Sequence, residues 1–286
     1  MAKSWPLFLS LLALARLGQC QRPNTAPMPT GDCSSKAYQD SLVARYLDRG
    51  AHRISYLSPQ WGQYCDSLIA ACPNIVQAYQ QKAMPLIKCG DYAQAMPLVD
   101  KATALDANRW LAYRGFLKCI FTKDYAGAIT DFQRVAKLKP NGREMDHTYA
   151  FFEGACELEL GHYKLAETAF ATDMAVQRGS DGQGQVHFNT LWYAGVVAAR
   201  LKQFALAQTY LQQCLKAYPQ HPEANYYLAL IYQAQGQPTL ARQHLEAAQR
   251  ALIGGYRLNE DNIFYANYPE QITEFEVTRA MKEIEK

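Results

Sequence analysis

The chain has 286 residues, 49% of them hydrophobic, enough apolar material for a large core or a stacked array. Its 29 Lys and Arg against 26 Asp and Glu leave a formal charge of only +3, interspersed without basic runs. Nucleic acid is therefore not expected as a partner, because phosphate binding needs clustered cations.

Residues 1–20 read as an export signal. Lys3 supplies the positive end, Leu7 to Ala15 is apolar, and Arg16 to Cys20 is a processing region. The apolar stretch is too short to span a bilayer as a helix. Two cuts fit these residues. Leu17-Gly18-Gln19-Cys20 resembles a bacterial lipobox, although Gln19 stands where a small residue is usual; acylation of Cys20 would anchor the chain. An ordinary signal-peptidase cut after Cys20 would release a soluble product. Either outcome places the protein outside the cytoplasm, periplasmic or envelope-associated, and the only membrane contact expected is through Cys20.

Residues 21–35 hold three prolines and few large apolar groups, the composition of a flexible linker. Over 36–73, Tyr38, Leu42, Val43, Tyr46 and Leu47 recur at helical spacing with Gly50 as a stop. A second helix is expected from the Ser58-Pro59 cap to Cys72-Pro73. The pair is either a degenerate copy of the pattern that follows or an N-terminal cap. An antiparallel hairpin would bring Cys33 and Cys72 to the same end, so these two are the expected disulfide. Cys119, Cys156 and Cys214 fall where small apolar residues are wanted and are expected to be core thiols.

From residue 74 a pattern recurs: Gly90-Asp91-Tyr92 with Ala95 and Val99, Lys123-Asp124-Tyr125 with Ala128 and Phe132, and Gly161-His162-Tyr163 with Ala166 and Phe170. Phe204 follows with Ala207 and Leu211, then Pro238 with Ala241 and Leu245. The anchors at 92, 125, 163, 204 and 238 are 33, 38, 41 and 34 residues apart. With Gly154, Gly195 and Ala229 as the small residues of the preceding helices, the pattern resembles the tetratricopeptide repeat, whose period is about 34 residues. The resemblance spans five copies, at 74–107, 108–140, 147–178, 186–219 and 220–253, and implies an all-α, right-handed solenoid of antiparallel helix pairs with N- and C-terminal capping helices. Pro85 and Pro97 fall inside predicted helices, where kinks are expected. The first helix of the second copy is out of register by one residue. Asn141 to Asp146 and Gly179 to Gln185 read as flexible connections.

Beyond Ile253-Gly254-Gly255 the repeat ends. The extension 254–286 places Ile272, Phe275, Val277, Met281 and Ile284 at roughly helical spacing and reads as a capping helix. The alternative is that Phe264 to Tyr268 lies across the groove or contacts a partner.

No metalloprotease, nucleophile-elbow or Walker motif is present. His147, His187 and His221 stand near the starts of first helices and are expected as surface residues, about a helix diameter (~10 Å) apart, too far to share a metal. No catalytic residue, metal site or cofactor is expected.

The resemblance implies ligand-facing residues at the second, fifth, ninth, twelfth and thirteenth places of each copy. These include Gln77, Gln80 and Lys88, Thr148 and Phe151, then Asn189, Trp192 and Arg200, and finally Tyr226 and Gln233; Tyr113 and Phe116 are the second copy's candidates. The repeated Lys and Asn set that clamps a terminal carboxylate in some family members is missing. Phe151, Trp192 and Tyr226 would form either a stacked row in the groove or core between repeats. The expected function is an exported, non-catalytic scaffold binding a protein or peptide in the groove. Alternatives are an outer-membrane assembly lipoprotein and, in another class, a small-ligand or glycan receptor using the groove aromatics.

Overall fold

The computed structural model describes residues 31–179, 182–258 and 268–284. The signal and lipidation readings at 1–20, most of the linker, and Phe264 to Asn267 lie outside them.

The N-terminal unit comprises α1 (Lys36–Val43), continued by a π-turn (Ala44–Asp48), and α2 (Pro59–Ala71). Five helix pairs follow: α3 (Val76–Lys88) with α4 (Tyr92–Leu105), α5 (Ala107–Leu117) with α6 (Tyr125–Leu138), α7 (Tyr149–Glu159) with α8 (Tyr163–Arg178), α9 (Phe188–Arg200) with α10 (Phe204–Ala217), and α11 (Pro222–Ala234) with α12 (Pro238–Ile253). The last helix is α13 (Glu274–Ile284). Helix starts are set by side chains that accept orphan backbone N–H groups. Asp91, Asp106 and Asp124 do so for α4, α5 and α6. Ser58 caps α2, where Pro59 holds the first turn.

Each turn from first to second helix requires a left-handed residue. Gly90, Gly161 and Gly236 supply it in three pairs, with φ of 78°, 76° and 71°; Lys123 and Lys202 supply it in the others, at 58° and 59°. One small residue in each first helix, Ala83, Gly115, Gly154, Gly195 or Ala229, brings the paired helices together. A Cβ on Gly195 would lie 2.6 Å from Leu211 Cγ, and one on Gly154 2.9 Å from the Phe170 ring.

The register slip of the second copy has a structural cause. Lys202 stands seven residues after Gly195, but Lys123 stands eight after Gly115. The extra residue is absorbed by a π-turn over Lys118–Thr122 at the end of α5. Pro85 and Pro97 sit inside helices that continue past them.

The linking segment expected to be flexible before α7 is instead a short antiparallel hairpin, pairing Arg143 with Thr148 and Glu144 with His147. Thr148 is 1% exposed and its hydroxyl donates to the fully buried Asp173 at 2.7 Å. Asp173 also accepts from Thr190 (2.7 Å) and Gln177 (2.8 Å), tying the third pair to the fourth. It occupies the place held by Ala102, Val135, Cys214 and Ala248 in the other copies.

The histidines are not surface residues 10 Å apart. His147 and His221 are buried, and the His147 and His187 ring centroids lie 5.3 Å apart. The reason is that an imidazole can cap a helix and pack as an aromatic at once. His187 Nδ1 accepts from Asn189 N–H at 3.2 Å and His221 Nδ1 from Ala224 N–H at 3.3 Å, while His147 stacks on Phe151 with centroids 3.8 Å apart. Burial, with the neighbouring His187 charge, pushes His147 down to about 3, so it is neutral near pH 7.

Cys33 and Cys72 form a disulfide with Cα atoms 5.6 Å apart. It closes the N-terminal unit, whose own core of Leu42, Leu47, Trp61, Cys65 and Leu68 reaches Ile75 and Ala78 at the start of the first pair. The Trp61 indole donates to the Gln81 carbonyl at 2.7 Å. Cys119, Cys156 and Cys214 are buried free thiols. At the other end α13 packs on α12 and α11, burying Val277 and Ala280. No helix among the described residues is long and apolar enough to cross a membrane.

Candidate functional site: the inner face of the helix array

Alternate helices α7, α9 and α11 lie against one another, whereas their partners α8, α10 and α12 make no comparable mutual contact among the described residues. The stack therefore curves with the first helices inside. A segment of the chain's own C-terminal extension, Tyr268 to Ile272, crosses this inner face.

The contacts of this strap are specific. Tyr193 Oη donates to the Pro269 carbonyl at 2.7 Å. Arg200 Nη2 lies 2.9 and 3.0 Å from the two Glu270 carboxylate oxygens, and Tyr227 Oη donates to the same carboxylate. In the other direction, Glu270 N–H donates to Glu159 at 3.0 Å and Ile272 N–H to Glu223 at 3.5 Å. Tyr268 meets His147 edge-on at 6.2 Å between centroids. Tyr268 and Ile272 are buried, and so is the Tyr193 phenol beneath them.

The electrostatics follow from this burial. Desolvation, with the Glu270 charge as the next cause, raises the Glu159 carboxyl. Burial likewise drives the Tyr193 and Tyr227 phenols well above their ordinary value, so both act as hydrogen-bond donors. Burial works to lower the Arg200 guanidinium, but Glu270 holds it above its usual value.

Two sequence stretches match family models for the tetratricopeptide repeat, residues 76–109 and residues 194–255. Those stretches contain helices of the first, fourth and fifth pairs just described. Tetratricopeptide repeats therefore occupy these stretches of the chain. Solved solenoids share its fold. MamA (residues 41 to the end) of Desulfovibrio magneticus RS-1 superposes with a TM-score of 0.52 at 17% identity, over 64% of this chain and 97% of that one. Cut9 with Hcn1, from a hetero-tetramer of the APC/C, gives 0.58 at 15% identity over 87% and 45%. Yeast Tom70 gives 0.52 at 17% identity over 86% and 46%. No curated protein matches the sequence.

The tetratricopeptide register places the expected groove residues unequally. Arg200 faces the strap directly. Gln77 and Lys88 are exposed and Gln80 half-buried on the first copy, where Lys88 lies over the Tyr56 ring at 5.5 Å and Gln80 hydrogen-bonds the Tyr113 side chain. Gln233 is half-buried at the far end. Thr148 and Asn189 are buried at helix starts, Thr148 as the cap of α7.

The aromatic row is not an open surface. Phe151 and Trp192 are 0% exposed and Tyr226 is 6% exposed; Phe116 is buried as well. Phe151 packs between His147 and Tyr193, Trp192 between Tyr193 and His221. Tyr226 is covered by α13, whose Arg279 hydrogen-bonds its hydroxyl. These rings have no free face for a sugar to stack on, so the glycan reading loses the residues it relied on.

Four contact residues were missed. Glu159 and Glu223 stand at the places that Arg200 and Asn189 hold in the fourth copy, so the register itself could have found them. Tyr193 and Tyr227 stand two residues before Gly195 and Ala229, as Tyr113 and Phe152 do before Gly115 and Gly154. That recurring aromatic was the available signal. Among the described residues no cluster of three or more His, Cys, Asp or Glu could hold a metal.

Proposed function

We propose that this tetratricopeptide array is a non-catalytic scaffold that binds a protein segment on its inner face. The observation that carries the reading is that the face already receives polypeptide: phenol, guanidinium and carboxylate groups from three successive copies meet the carbonyl, side chain and N–H groups of Tyr268 to Ile272. Arrays of this fold serve many partners, so the site and not the fold supports the assignment.

A photo-crosslinking residue at the exposed Gln77 of the first copy should capture discrete protein partners. The same residue at the exposed Gln212 of α10 should not. Equal capture from both positions would remove the inner face from the proposal.

We infer that the protein works outside the cytoplasm. The support is the signal pattern of residues 1–20 together with the Cys33–Cys72 disulfide, a bond that persists in oxidising compartments. Mass measurement of the mature N-terminus separates an acylated Cys20, as an outer-membrane assembly lipoprotein would have, from a soluble product.

A further inference from the structure

We propose that Tyr268 to Ile272 is an intramolecular ligand of the groove, and that the external partner is a protein segment of the same chemistry, an aromatic residue followed by a proline turn and a carboxylate, which binds by displacing it. The inference rests on reading the inner face as a protein-binding surface, and it adds the identity of the recognised group and the competition that regulates access.

The strap is bound as a turn. Gln271 N–H reaches the Tyr268 carbonyl at 3.4 Å, Pro269 stands at the second turn position, and Glu270 at the third has φ of 55°. A positive φ at that position is easy for glycine and costly for a residue with a Cβ. Glutamate stands there, and its carboxylate is gripped by Arg200 and Tyr227. The side chain's recognition thus holds an unfavourable backbone in place, and recognition through an acidic turn is the property a competing segment must share.

The fit is also incomplete, which leaves room for a better ligand. Glu223 receives the strap's Ile272 N–H on Oε1, but its Oε2 is buried and has no hydrogen-bond partner. That oxygen lies 3.2 Å from His221 Nδ1, but the nitrogen already accepts the cap bond of α11. Beside Arg200 a hollow of about 150 Å³, lined by Val196, Ala199, Phe204, Tyr227 and Leu230, would accept a further apolar side chain. An intramolecular competitor lowers the apparent affinity of an external one by the fraction of molecules in which the groove is open. Weakening the strap should therefore strengthen binding in trans.

The test uses the full chain and a fluorescein-labelled peptide of sequence Ala-Asn-Tyr-Pro-Glu-Gln-Ile-Thr, measured by anisotropy. Glu270→Ala should bind this peptide at least about tenfold more tightly than wild type. The gain should vanish when the peptide's Glu is replaced by Ala, and in the Arg200→Ala, Glu270→Ala double variant. Glu270→Gln, which keeps the side-chain volume, should behave as Glu270→Ala does, and unchanged helical circular dichroism establishes that both variants are folded. Equal affinity for wild type and Glu270→Ala overturns the proposal, as does the absence of peptide binding to folded Glu270→Ala. If Gln77 crosslinks still give discrete partners in that event, the scaffold reading stands and only the self-ligand fails. A dimer seen by light scattering that Glu270→Ala dissociates would show straps exchanged between copies and would overturn the intramolecular assignment.

Discussion

Arg200 and Glu270, 70 residues apart in sequence, meet through one guanidinium nitrogen placed 2.9 and 3.0 Å from the two carboxylate oxygens. The pair joins the end of α9 to the strap. Arg200 remains 44% exposed at its side chain, so the pair stabilises by about 0.5–1 kcal/mol, the scale of partly solvated ion pairs. Arg200→Ala should leave the melting transition of the array nearly unchanged and speed hydrogen exchange at the amides of Glu270 and Ile272. Unchanged exchange there would show that Tyr193 and Tyr227 hold the strap without it.

Gly195 supports a different link, helix packing. Its absent Cβ is what allows Leu211 to approach, since a methyl there would sit 2.6 Å from Leu211 Cγ. Gly195→Ala should destabilise by about 1–3 kcal/mol through overpacking, despite the better helix propensity of alanine. A denaturant midpoint equal to that of wild type would mean that α9 and α10 can separate without cost.

Lys202 carries a left-handed φ of 59° in a turn where Gly161 and Gly236 serve in the neighbouring copies. Lys202→Gly should stabilise by about 1 kcal/mol, because the steric cost of a Cβ in that region is removed. The expected readout is a higher midpoint of chemical unfolding.

Glu153 lies half-buried with Glu157 on the wall of a cavity of about 300 Å³ between α6, α7 and α8. Burial first, and the Glu157 charge second, raise its carboxyl from 4.5 to about 7. A raised folded-state value means the folded state binds the proton more tightly. Its stabilisation is therefore full below about pH 4.5 and is lost as pH rises through about 7. A shift of that size corresponds to about 3 kcal/mol at most, and solvent screening at this open site reduces it to about 1–2 kcal/mol. Glu153→Gln should raise the stability at pH 8 by that amount and leave it unaltered at pH 4. A pH-independent difference would assign the effect to packing.

Asp173 is the buried acceptor for Thr148, Thr190 and Gln177. Asp173→Ala removes the acceptor of two buried hydroxyls and of one of the two bonds made by the Gln177 amide, and should cost about 2–3 kcal/mol. The loss should appear as faster hydrogen exchange at the junction of α8 and α9; a uniform change across the array would contradict its role as a joint between the third and fourth copies.

The period of Tyr92, Tyr125, Tyr163 and Phe204, with small residues at Gly154, Gly195 and Ala207, determined the all-α repeat architecture from sequence. Each helix pair solves the same local packing problem with its own residues, so the solution is written into every copy. The Ser58-Pro59 start of α2 and the core thiols Cys119, Cys156 and Cys214 were legible for the same local reason. Three features were not. The π-turn after Leu117 depends on how one surplus residue is absorbed between two fixed packing points. The burial of His147 and His221 depends on helix ends from adjacent copies closing over them. The covering of the inner face depends on Glu270 reaching Arg200 from beyond the last repeat. Sequence period thus decided which helices form and how they pair, because those contacts are short in range. Which inner-face residues are open, buried or already bound was decided by contacts between distant copies and the C-terminal strap, which only the tertiary structure brings together.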